Sequence, residues 1–144
     1  PSRIRLQFPA MSDGAESTSQ AVTHSVRVSV RARFVPERSN PSDSEWFFAY
    51  TIEIANESDR TVQLLSRHWV ITDADGKVEE VRGPGVVGQQ PILGPGQKFE
   101  YTSACPLVTS FGVMQGSYQM VTPGGDHFEV AIAPFSLHEP YAVN

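Results

Sequence analysis

The chain has 144 residues and a net charge of −5. That length suits one domain with a real core, and that sign argues against general nucleic-acid binding, which needs a basic footprint. No apolar run approaches the ~20 residues that cross a bilayer, so membrane insertion is not expected. The single cysteine, Cys105, forbids an intrachain disulfide and fits a reducing compartment, so a cytoplasmic location is expected.

Residues 1–10 carry Arg3 and Arg5 but no continuous apolar segment and no small-residue cleavage site, which makes a poor signal peptide. Met11-Ser12-Asp13-Gly14-Ala15-Glu16 reads as a natural start, with the first ten residues upstream of it or added. Residues 11–23 are rich in Ser, Thr, Gly, Ala and Gln. Such a segment cannot offset the entropy of ordering, so residues 1–23 read as a flexible tail and residues 24–144 as one domain.

From Val26 the pattern changes. Val26, Val28, Val30, Ala32 and Phe34 alternate with Arg27, Ser29, Arg31 and Arg33, the period of a half-buried strand. A polar loop over 36–44 follows. Trp46 to Ala55 reads as a second strand and Thr61 to Thr72 as a third, divided by the turn Asn56-Glu57-Ser58-Asp59. Asp73-Ala74-Asp75-Gly76 is a hairpin signal, and Lys77 to Arg82 returns as a fourth strand. Residues 83–96 hold five glycines and three prolines and read as an extended loop. Further strands open at Phe99 and run over Val113–Val121 and His127–Ala133. No stretch combines helical periodicity with caps. About seven short strands between turn signals predict an all-β fold, an antiparallel sandwich of the immunoglobulin or fibronectin type III kind.

Gly83-Pro84-Gly85-Val86-Val87-Gly88 matches G-x-G-x-x-G. A dinucleotide site needs a helix after those glycines, and Pro91 with Gly94-Pro95-Gly96 denies one. Two readings of the loop remain. Its amides form an anion nest, with Arg82 as the charge partner for pyrophosphate or a magnesium nucleotide; or it is a tight crossover plugged into the core by Val86 and Val87. The second is preferred, since the adjacent valines look buried.

The loop and its neighbours resemble the bacterial ApaG (CorD) family, whose relatives include a domain of some eukaryotic F-box and DNA-polymerase-associated proteins. The resemblance rests on 63–72 (Gln-Leu-Leu-Ser-Arg-His-Trp-Val-Ile-Thr) and on 81–88 (Val-Arg-Gly-Pro-Gly-Val-Val-Gly). It continues through 90–96, 99–103, 112–120 and 134–137, spanning about residues 25–140. It implies a fibronectin-type-III-like sandwich and a link to cobalt tolerance and magnesium efflux. The eukaryotic relatives use the domain as an attachment module, which implies a protein partner. Pro84 departs from a free choice at its position, stiffening φ and removing an amide.

The candidate binding residues are therefore Arg82, Gly83, Gly85 and Gly88 at the loop, Arg67 and His68 on the third strand, and Trp46 beside Phe47 and Phe48. Alternation puts Arg67 and Trp69 on one strand face and His68 on the other. His68 reads as a hydrogen-bonded structural histidine before it reads as a ligand. His24, His68, His127 and His138 have no metal-ligand spacing, and Asp73, Asp75, Glu79 and Glu80 read as a solvated acidic turn, so no metal site or cofactor is assigned. Glu79 and Glu80 point to opposite faces, and nothing seats a histidine beside Ser103 or Cys105, so no catalytic group is assigned. The expected function is a non-enzymatic module that binds a protein partner. The alternative is a pyrophosphate- or magnesium-nucleotide-binding protein or hydrolase using residues 83–88. A homodimer through an edge strand is compatible with both.

Overall fold

The computed structural model describes residues 16–140. They form nine strands: β1 Glu16–Thr23, β2 Val26–Phe34, β3 Trp46–Asn56, β4 Val62–Asp73, β5 Val78–Pro84, β6 Ile92–Leu93, β7 Lys98–Leu107, β8 Phe111–Val121 and β9 His127–His138. Two 3-10 turns, Pro36–Arg38 and Pro41–Asp43, fill the loop between β2 and β3. The strands make two antiparallel sheets, β1-β2-β3-β7 and β5-β4-β8-β9, with β6 also paired to β4. The predicted sandwich is present, with nine strands in place of about seven. No helix among the described residues is long and apolar enough to cross a membrane.

The inner faces are set by period-two alternation. Val26, Val28, Val30 and Ala32 of β2, with Ile52 and Ile54 beside them on β3, pack in one core with Leu64 and Trp69 of β4, Met114 and Tyr118 of β8 and Val130 and Ile132 of β9 from the other sheet, all buried. The turn after β3 is tied into this core by Asn56, which is fully buried. Its Nδ2 donates to the Arg60 carbonyl at 2.7 Å and the Leu93 carbonyl at 2.9 Å, and its Oδ1 accepts from the Ser58 amide and hydroxyl.

The tail expected over 1–23 is corrected over its last eight residues, which are β1; residues 1–15, including Met11, lie outside the described residues. Strand β1 pairs with β2 along its whole length, Glu16 opposite Arg33 and Thr23 opposite Val26. Three of its four inward residues, Ser17, Ser19 and Thr23, are short hydroxyls whose partners are backbone, and the fourth is Ala21. The Ser17 hydroxyl donates to the Ser136 carbonyl, the Ser19 hydroxyl to the Ala133 carbonyl at 2.9 Å, and the Ala131 amide donates to the Thr23 hydroxyl at 3.1 Å. A polar strand is what the free backbone edge of β9 requires, because unpaired N–H and C=O groups need partners there.

This closes one side of the sandwich. On the other side the edge strands are β5 and β7, neither of which pairs on its outer side with a described strand. Unlike β1 and β9, they do not pack together. The sandwich therefore has one stitched side and one open mouth.

Candidate functional site at the open edge of the sandwich

Across the mouth, Arg67 and Trp69 of β4 lie level with Tyr101 and Ser103 of β7, and Ile71 and Asp73 lie level with Pro106 and Leu107. A cavity of about 370 Å³ occupies one end, lined by Tyr50, Arg67, Trp69, Tyr101, Ser103 and the segment Pro84–Gly88 without its glycine at 85. A second cavity of about 290 Å³ occupies the other, between Ile71, Asp73, Lys77, Val78 and Glu79 on one lip and Pro106, Leu107 and Val108 on the opposite one. Val78 and Val108 are 57% and 64% exposed, so an apolar surface stands open at that end.

Register decides which candidate residues meet. Arg67 lies opposite Gly83 and His68 opposite Arg82 in the β4–β5 ladder. Directly opposed residues share a sheet face, so Arg67 looks into the mouth with Trp69, while His68 and Arg82 look out. His68 Nε2 lies 2.7 Å from Glu80 Oε1, and Arg82, 72% exposed, reaches the same carboxylate at 3.7 Å. The charge at the glycine loop is thus Arg67, where sequence reasoning pointed to Arg82. Trp46 is elsewhere, opposite Leu107, with its indole N–H donating to Glu139 at 2.9 Å. Phe47 lies beneath the Arg38 guanidinium, 4.5 Å from ring centroid, and Phe48 is buried, so the consecutive aromatics are covered on both faces.

Each glycine of the loop has its own reason. At Gly83 a Cβ would come within 3.0 Å of the Arg67 guanidinium, which lies flat across the glycine. At Gly85, φ is +61° and a Cβ would stand 2.3 Å from the Gln89 carbonyl oxygen. Gly88, with φ +80°, is the second centre of a two-residue hairpin from Val86 to Gln89, closed by amide–carbonyl bonds of 2.8 and 2.9 Å in both directions. Positive φ at both centres is the pattern of the turns that suit hairpins.

The other centre is Val87, at φ +43° and 41% exposed, whereas Val86 is 1% exposed. The expected pair of buried valines is therefore corrected to one. A β-branched residue in the left-handed region is strained by about 1–2 kcal/mol. The loop's amides are largely committed: Gly85 donates to the Leu65 carbonyl, Val86 to Gln89 and Gln89 back to Val86, and Pro84 has none. The Pro84 and Gly85 carbonyls accept from Arg67 Nη1, each at 2.9 Å. A loop that turns its carbonyls to a cation is built unlike an anion nest.

The floor of the Arg67 cavity is aromatic. Tyr50 stacks on Trp69 with centroids 5.4 Å apart, and Trp69 meets Phe135 edge-on at 6.0 Å. Below them the Tyr101 and Tyr118 hydroxyls are hydrogen-bonded to each other in full burial. Burial raises the pKa of Tyr50, Tyr101 and Tyr118, with Arg67 pulling weakly the other way. Burial, aided by Glu79, pushes the Cys105 thiol up to about 12, so no reactive thiolate forms near neutrality.

These four acids stay protonated in the fold and ionise in the unfolded chain, near pH 9 for the thiol and 10 for the phenols. Their contribution to stability is complete below pH 9 and is lost as the pH rises toward their folded values. The midpoint of urea unfolding should hold between pH 7 and 8.5 and fall steadily above 9. Tyrosine absorbance at 295 nm provides the check, since ordinary titration of three phenols in the still-folded protein would contradict it.

These elements define a β-sandwich domain with a glycine hairpin as the lip of its open edge. Residues 36–122 match the ApaG domain family (DUF525), and the chain belongs to that family. It is 59% identical to Protein ApaG of Beijerinckia indica over 121 residues, covering 84% of this chain and 93% of that one, and 53% identical to Protein ApaG of Methylocella silvestris over the same shares. A crystal structure of a Bordetella pertussis protein, 51% identical, superposes with a TM-score of 0.79 over 84% of this chain and 98% of that one. The C-terminal domain of Wzt shares the fold alone, at 10% identity and a TM-score of 0.52 over 88% of this chain and 80% of that one.

Proposed function

We propose that the chain is a non-enzymatic binding module that receives a protein partner in the mouth between β5 and β7. The observation that carries this reading is asymmetry. One side of the sandwich is stitched shut by β1 hydroxyls, and the other keeps two edge strands and two cavities with exposed valines at their rims. An extended segment laid along such an edge finds backbone partners and side-chain pockets together. Val87 supports the reading: the turn would be more relaxed with Asn or Gly there, and strain held at a cavity's rim is characteristic of a contact residue. The family resemblance would place the partner in a pathway touching divalent-cation homeostasis. The committed amides of the glycine loop weigh against the pyrophosphate alternative.

A photoreactive phenylalanine analogue placed at Val78 or Val108, and separately at Gln20 on the closed side, tests this in cells of the source organism. Discrete protein adducts should form from the mouth positions and not from Gln20. Adducts of equal yield from all three, or from Gln20 alone, would put the partner surface elsewhere.

A further inference from the structure

We infer that the mouth selects the free C-terminal carboxylate of an extended partner segment, with Arg67 as its anchor and Glu79 favouring a basic residue further back. This rests on the mouth being the partner surface and names what it recognises.

Among the described residues Arg67 is the only cation lining the larger cavity. Its Nη1 is spent on the Pro84 and Gly85 carbonyls, whereas Nε and Nη2 have no acceptor among the described residues. Those two nitrogens form one edge of the guanidinium fork, the edge that pairs with both oxygens of a carboxylate. One free edge and no convergent amides suit a single negative charge. A phosphate dianion would be left half compensated. The two carbonyl bonds hold the guanidinium over Gly83, so little rotamer freedom remains to be lost on binding.

The geometry then favours a chain end. The hairpin tip Val87–Gly88 lines this cavity together with Tyr101 and Ser103 of the facing sheet, so the hairpin borders the groove at the Arg67 end. A segment entering along β7 would run out of groove there, and a terminus fits where a continuing chain does not. At the far cavity Asp73 and Glu79 face a single lysine, Lys77, so the groove is negative at the end away from Arg67. From Arg67 to Asp73 is six residues of strand, about 20 Å, the length of an extended hexapeptide. The complementary segment therefore carries Lys or Arg about five residues before its end, flanked there by apolar residues that meet Val78 and Val108.

The test uses random hexapeptides displayed with free C-termini, a second library displayed internally, and the 144-residue protein as bait. Wild type should enrich the free-terminus library, with Lys or Arg near the first position. Synthetic peptides from it should bind at least tenfold more weakly as C-terminal amides. Arg67→Gln, which keeps a donor for the loop carbonyls, should erase the difference between acid and amide while its thermal melting stays close to wild type. If that variant melts early, Glu79→Lys, an exposed change, still decides the matter by shifting the first position from basic to acidic. Equal binding of acid and amide would overturn the carboxylate and leave the mouth standing, provided amide shifts localise to 67–73 and 101–107. Enrichment of internal sequences alone would do the same. No enrichment from either library would overturn both.

Discussion

Asn56→Ala is expected to destabilise the fold by about 3 kcal/mol, enough to lower the melting temperature by about 10 °C. The side chain is wholly buried and makes four hydrogen bonds, two donated and two accepted. Alanine keeps the backbone bonds of residue 56 to Gln97 and Gly96 but takes a donor from the Leu93 and Arg60 carbonyls and the acceptor from the Ser58 amide and hydroxyl. The cost is the desolvation of polar groups left unpaired, and it exceeds the net worth of any one bond. Asn56→Asp is the sharper variant: it retains the acceptor for Ser58 and sets a negative charge against two carbonyl oxygens, so it should fare at least as badly. Urea unfolding of the three proteins at pH 7.5 measures both. A loss below about 1 kcal/mol for Asn56→Ala would mean that water enters the turn and replaces the amide.

The second expected result is an ordering among the glycines of the loop. Gly85→Ala should cost about 3 kcal/mol, because the new Cβ is placed in a left-handed conformation and driven against a backbone oxygen 2.3 Å away. Gly88→Ala should cost about 1 kcal/mol, since nothing stands within 4 Å and only the positive φ is penalised. Gly83→Ala meets the end of a flexible arginine, so its effect falls on Arg67 position more than on stability. Chemical denaturation gives the first two numbers, and amide exchange at 85–89 reports the third. A nucleotide-binding loop would order these differently, with Gly83 and Gly85 changes abolishing a ligand and sparing the fold. Equal costs at Gly85 and Gly88 would show that the loop moves aside and that the contact with Gln89 is not binding on it.

Alternation identified β2 and the Phe48, Tyr50, Ile52 and Ile54 face of β3, because a strand that packs against the opposing sheet needs apolar residues at every second inward position. It also separated Arg67 and Trp69 from His68, since facing within one strand is a local property. Turn chemistry placed the 73–76 hairpin for the same local reason. Strand β1 escaped notice because its inward residues answer to backbone groups of β9, and serine or threonine at that spacing looks like a linker until its partner is known.

The grouping of the site was likewise out of reach. Arg82 adjoins the glycine loop in sequence, yet the register that sets His68 opposite it turns it to the outer face. The cation at the loop is Arg67, fifteen positions before Arg82. Residue types and spacing thus determined an all-β sandwich, its strand faces and the tight loop, all of which follow from interactions within a few residues. Pairing between distant strands decided which side is sealed, which side is open and which charge looks into it, because those depend on register and on packing between sheets.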